Sequence, residues 1–165
     1  MKLTFERKKV YFNLKLCVIT RNFRIKTQIE RGRQPMTIQS FSKKKDGSKA
    51  LSKNFKVKEF ACTDGSDPIF VDSELVAVLQ KIRSHFGKAV TITSAYRTPS
   101  RNKAVGGETY SQHQYGKAAD IKVKGIAPER VAEYAETLLK NRGGIGRYST
   151  FTHIDTRYEK ARWKG

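Results

Sequence analysis

Acid is what this chain has least of. It carries 15 Asp+Glu against 34 Lys+Arg, a formal net charge of +19 over 165 residues. Such an excess favours polyanionic partners: nucleic acid, an anionic membrane surface or an anionic cell-wall polymer. Cysteine is scarce as well. Cys17 and Cys62 are far apart and form no CxxC pair, which excludes a thiolate zinc cluster and a disulfide-built scaffold. The sequence allows one bridge between them and equally allows two reduced thiols, the simpler reading. No apolar run approaches the roughly 18 residues of a membrane-spanning helix, and no internal repeat is present. What remains is 38% apolar and 10% aromatic residues, enough for one packed core at the size of a single domain.

The charge is unevenly spread. Residues 1–35 hold ten Lys/Arg and two Glu, and residues 36–55 hold five Lys and one Asp, whereas the remaining 110 residues are only +7. Val10, Phe12, Leu14, Leu16 and Val18 alternate like a strand, but Lys15 interrupts the run, and no secretory leader with a small-residue cleavage site is visible. The composition therefore predicts a basic, poorly ordered extension over residues 1–50 and a folded domain over 51–165. The abrupt change near Met36 also allows translation to begin there.

Within the domain, Phe55, Val57 and Phe60 supply an apolar anchor ahead of a turn-rich stretch, Thr63 to Pro68. Asp72 or Ser73 can cap a helix in which Leu75, Val78, Leu79, Ile82 and Phe86 recur at helical spacing until Gly87. Residues 89–93 alternate as a strand, a polar loop runs through Gly106-Gly107, and residues 119–123 read as a second strand. Pro128 opens a second helix that Gly143-Gly144 ends. Short β segments at 145–148 and 151–156 precede a basic tail around Trp163. Helices and strands mix without regular βαβ alternation, so the predicted class is α+β.

Two of the three histidines keep suggestive company. His113 and Asp120 bracket Gly116 and Ala118, which allow a tight turn and close packing. In Phe151-Thr152-His153-Ile154-Asp155-Thr156-Arg157, strand alternation puts His153, Asp155 and Arg157 on one face. Two imidazoles and a carboxylate are a zinc ligand set, with a fourth position for water. By spacing alone the same histidines could be ordinary half-buried residues with hydrogen-bond partners. His85, near the end of the first helix and outside both clusters, reads as a solvated residue. Tyr115 and Trp163 could line a cleft or simply pack.

The wider string Ser-x-His-x-x-Gly-x-Ala-x-Asp, Ser111 to Asp120, resembles the signature of the zinc D-Ala-D-Ala carboxypeptidases, peptidase family M15 with the Hedgehog/DD-peptidase fold. Phe151-x-His153-x-Asp155 resembles that family's third-ligand strand, and Ser94-Ala95-Tyr96-Arg97-Thr98 resembles its Ser-Gly-Tyr-Arg-Thr segment. The three motifs occur in the family's order, over roughly residues 51–163, and look closest to small single-domain members from phages and Gram-positive bacteria. The resemblance implies a small, mainly antiparallel sheet with flanking helices. It also implies Zn2+ held by His113, Asp120 and His153. Arg97 would meet a substrate oxyanion or carboxylate; Ser111 would hydrogen-bond within its loop or to substrate, and Tyr96 could line the substrate cleft or simply pack. Many relatives carry an acid three residues before the third ligand, where this chain has Thr150. Asp155 is then the candidate either to accept the proton of the attacking water or to orient a ligand from behind.

The implied function is hydrolysis of peptidoglycan stem peptides, foremost as a D-Ala-D-Ala carboxypeptidase. Cleavage of L-Ala-D-Glu bonds in the manner of phage endolysins is the nearest alternative. An inactive basic binding protein for wall polymer or nucleic acid is the rival from another class, kept open by Thr150. The charge suits an anionic wall surface, while no nucleic-acid-binding motif accompanies it. The expected protein is a monomer acting at the cell wall. It would reach the wall from the cytoplasm by holin-type release or non-classical export.

Overall fold

A computed structural model describes residues 38–165. Most of the predicted basic extension, with Cys17 and the Met36 boundary, lies outside the described residues. Its last part is structured. Strand β1 (Ile38–Ser42) pairs antiparallel with β2 (Pro68–Asp72), Ile38 opposite Asp72 and Ser42 opposite Pro68. Ser42 then caps the short helix α1 (Lys43–Asp46), accepting from the Lys45 amide at 3.1 Å. The folded unit thus begins upstream of Leu51. The lysine run hid this, because backbone pairing and a cap, with only Phe41 packed against the core, hold these residues in place.

Helix α2 (Ser73–Phe86) starts at Asp72, whose carboxylate accepts from the Glu74 amide at 3.0 Å, and ends at Gly87 in the left-handed region. It buries Leu75, Val76, Val78, Leu79 and Ile82, each contributing about 1.5–3 kcal/mol when fully removed from water. The other oxygen of Asp72 accepts from the Thr156 hydroxyl at 2.5 Å, so one buried carboxylate ties the helix start to the chain just after the last site strand. Burial pushes the Asp72 carboxyl up, against the pull of the Thr156 hydroxyl. Asp72→Ala removes the cap and leaves that hydroxyl only the Lys117 carbonyl at 3.4 Å, and we expect a loss of about 1–2 kcal/mol in urea unfolding.

A five-stranded sheet follows, in the order β3 (Val90–Ser94), β4 (Ala118–Val123), β6 (Thr152–Asp155), β5 (Gly144–Arg147), β7 (Ala161–Lys164). All neighbours are antiparallel except β5 and β7, which run parallel. Helix α4 (Pro128–Leu139) has Pro128 in its first turn and packs Val131, Ala132, Ala135 and Leu139 into the core shared with α2. The sheet's two faces divide the labour. Ala119, Ile121, Val123, Ile145 and Ile154 join the helices in the apolar core. Alternation sends Asp120, His153, Asp155, Gly144, Gly146 and Trp163 to the opposite face.

Two further segments depart from the sequence-based expectation. Thr98 caps a short helix, α3 (Pro99–Ala104), where a polar loop was predicted. Its only buried residue is Asn102, so it carries no apolar periodicity to read. The basic tail is strand β7, whose four residues alternate too briefly to reveal a strand.

Candidate metal centre

Asp120 and His153 face each other across the β4–β6 pair as direct register partners. His153 Nδ1 lies 2.9 Å from Asp120 Oδ1. The third member comes from the loop between α3 and β4. His113 is folded back over the sheet by its own backbone, its carbonyl accepting from the Arg97 amide at 3.1 Å and from the Gly116 amide at 3.2 Å. Gly116 sits at φ +67°, and a Cβ there would collide with the Phe70 carbonyl. The sequence placed a glycine at this turn for conformational freedom; close approach to β2 is a second reason.

His113 Nε2 reaches 3.3 Å from His153 Nδ1 and 3.4 Å from Asp120 Oδ1. The three donors form a triangle with edges of 2.9–3.4 Å. A tetrahedral zinc with ligands at about 2.0–2.1 Å separates its donors by about 3.3 Å, so the arrangement fits such an ion. All three side chains are buried.

Each ligand's other polar atom is tied down. His113 Nδ1 donates to the Ala95 carbonyl at 2.6 Å, leaving Nε2 as the free lone pair. His153 Nε2 donates to Asp155 Oδ2 at 3.2 Å, leaving Nδ1 free. Asp120 Oδ2 accepts from Arg97 Nη2 at 2.8 Å, leaving Oδ1. Outer partners of this kind fix tautomer and ring orientation in metal sites. Burial alone would raise the Asp120 carboxyl, but hydrogen bonds and charge from His113 and His153 hold it well below the usual carboxylate range. His153 moves the other way: burial opposes its charge, yet Asp120 and Asp155 on either side raise it.

Asp155 is completely buried. Its oxygens accept from the Gly144 amide at 2.8 Å, the Arg157 amide at 3.0 Å, and the Arg157 guanidinium at 2.6–3.0 Å. Burial would raise this carboxyl, and His153 with Arg157 depress it well below its ordinary range. It meets His153 at Nε2, the edge of the ring away from the three donors. Gly144 is required for this seat, since a Cβ there would overlap the carboxylate.

The other predicted site residues are placed as follows. Arg97 enters the cluster through Asp120, and its Nε also donates to Ser94 Oγ at 2.9 Å, so two of its three guanidinium nitrogens are engaged. Tyr96 is buried, its ring edge-on to Phe70 at 5.3 Å. Ser111 opens the turn that carries His113 and is bonded through its backbone to Glu108 and Gln114. Thr150 is exposed in the β5–β6 turn. His85 is exposed and stacks on Tyr134 of α4 at 3.6 Å. Sequence reasoning missed the Ala95 carbonyl, Ser94 and the two glycines of β5. Gly144 and Gly146 recur at strand spacing, a signal hidden because Gly143-Gly144 also reads as a helix stop.

A cavity of about 320 Å³ lies beside the end of β3, lined in part by Lys58, Cys62, Thr63, Ser94 and Ala95. It shares Ser94 and Ala95 with the cluster's outer partners.

No curated protein matches the chain. Residues 53–155 match the family described as Peptidase M15, a span that contains every residue of the His113, Asp120, His153 cluster. By that match, over more than half its length, the chain belongs to peptidase family M15, a family of metal-dependent peptidases.

Proposed function

We propose that the protein is a zinc peptidase of bacterial cell-wall stem peptides, foremost a D-Ala-D-Ala carboxypeptidase. The donor triangle supports this reading most directly, because each of its ligands is aimed by a partner on its other polar atom. His113, Asp120 and His153 would hold the zinc, which when bound would supply a Lewis acid to polarise a scissile carbonyl and activate water near neutral pH. The chain's own residues do the rest. Arg97 holds Asp120 and offers its remaining nitrogen as a charged donor to the substrate's carbonyl oxygen or terminal carboxylate.

Asp155 takes the second of the two roles open to it. Its contact with His153 Nε2, and the five bonds its oxygens accept from Gly144 and Arg157, suit a group that orients the ligand rather than one that takes a proton from water. Ser111, Tyr96 and the cavity beside β3 are then candidates to shape the substrate's approach. The net charge of +7 over residues 56–165 suits attraction to an anionic wall, which fades as salt rises. Among the described residues no helix is long and apolar enough to cross a membrane. Access to the wall by holin-type release or non-classical export is part of the same proposal.

The test is mass spectrometry of purified peptidoglycan fragments after incubation with the protein, beside a chelator control and His113→Ala. Loss of one terminal alanine, abolished by both controls, is the expected result. Metal-dependent cleavage at L-Ala-D-Glu would keep the zinc chemistry and replace the exopeptidase with an endolysin. No cleavage by folded, zinc-loaded protein would reject the peptidase reading and favour a wall-binding role for the basic surface.

A further inference from the structure

Beyond the family match, which ends at Asp155, the chain makes one more strand. β7 lies parallel to β5, so Gly146 is paired with His153 on one side and with Trp163 on the other. All three point to the site face. Gly146 has no side chain to fill the space between them, and the indole of Trp163 lies across it. A Cβ at position 146 would stand 2.6 Å from two atoms of the indole, Cε2 and Nε1. The indole thereby reaches the His153 ring, with centroids 5.0 Å apart and planes inclined by 51°.

The indole is itself anchored. Its Nε1–H donates to Tyr148 Oη at 3.0 Å, and Tyr148 is stacked on Phe151 at 4.3 Å. The Arg157 guanidinium lies 5.6 Å from the indole centre while also binding Asp155. Asp155 in turn holds His153. His153 is therefore held on one edge by a carboxylate and flanked by a tilted aromatic ring, and Arg157 touches both of these neighbours. The electron-rich face of an indole favours a neighbour that carries positive charge, as an imidazole does when it ligates a cation.

We propose that Trp163 is a positioning residue of the metal centre, holding the His153 ring at the angle that presents Nδ1 with His113 and Asp120. The proposal rests on the reading of His153 as a metal ligand. Strand β7 is then part of the site, and Gly146 is glycine so that the indole can cross β5.

Trp163 is the chain's one tryptophan, so its emission reports this spot alone. The experiment is a cobalt titration of the metal-free full chain, read by the visible bands of bound cobalt and by Trp163 emission. In the wild type, bands and quenching should rise together to one equivalent. Prior zinc should block both, and His113→Ala should remove both. Trp163→Ala should bind cobalt about tenfold more weakly or worse, the loss typical of an outer partner of a metal ligand. Trp163→Phe should recover most of that affinity. Bands that rise while emission stays constant would overturn the role of Trp163 and leave the metal centre standing. So would Trp163→Ala binding cobalt as the wild type does. Absence of cobalt bands in folded wild-type protein would remove the metal centre, and this proposal with it. The wild-type emission needs no variant and decides the question even where truncating the indole costs the fold.

Discussion

His153→Ala should leave a protein that folds, binds no zinc at stoichiometric concentration and hydrolyses stem peptides at least about 1,000-fold more slowly. The variant deletes one of three donors and, with it, the group between Asp120 and Asp155. Losing the Lewis acid removes several kcal/mol of transition-state stabilisation, and about 4 kcal/mol corresponds to that rate. Stability should respond less. Asp155 keeps Arg157 and the Gly144 amide, and Asp120 keeps Arg97, so neither carboxylate is left alone, and a cost of about 1–3 kcal/mol is expected. A thermal melt separates the effects. Zinc at 100 times its dissociation constant should stabilise the wild type by about 2.7 kcal/mol and should not shift the variant. Equimolar zinc in purified His153→Ala, with most of its turnover, would take His153 out of the site.

Asp155→Ala should be the more damaging change to the fold. It empties a completely buried position, frees the His153 ring, and strips the Gly144 amide and the Arg157 guanidinium of their shared acceptor. Breaking a buried pair of this kind costs about 3–5 kcal/mol; Arg157 is partly exposed and can turn to water, so the lower end is expected. Zinc affinity should fall about 10–100-fold. Asp155→Asn separates the two roles considered for this carboxylate. If Asp155 orients His153, the variant should lose zinc affinity and recover turnover in excess zinc. Full zinc occupancy with turnover that excess zinc does not restore would instead make Asp155 the proton acceptor.

The long-helix parts of the fold were legible because their signals are local. In α2 and α4 a cap or a first-turn proline and five or four buried side chains at helical spacing lie within one stretch of chain, and α2 also ends on Gly87, whereas α4 stops at Lys140, ahead of the Gly143-Gly144 pair expected to end it. The inner strands β4, β5 and β6 were legible in outline for the same reason. β1, α3 and β7 were not. Each is four to six residues long, and each is held by pairing or capping rather than by an apolar stripe, so its residue types resemble those of a loop.

The sequence by itself determined which side chains are available for metal chemistry, and its three ordered motifs pointed to the family that residues 53–155 match. Strand alternation also determined that His153 and Asp155 share a face. Only the tertiary structure decided what each group does there. Asp155 meets Nε2 and not the donor side of His153, Arg97 is spent partly on Asp120, Tyr96 packs against Phe70, and Trp163 arrives from the far edge of the sheet. Alternation tells which face a side chain takes, but not which edge of an imidazole meets which oxygen. Those choices depend on pairing between segments distant in sequence, such as Asp120 opposite His153, and on a glycine floor whose effect is felt only when the neighbouring strand is in place.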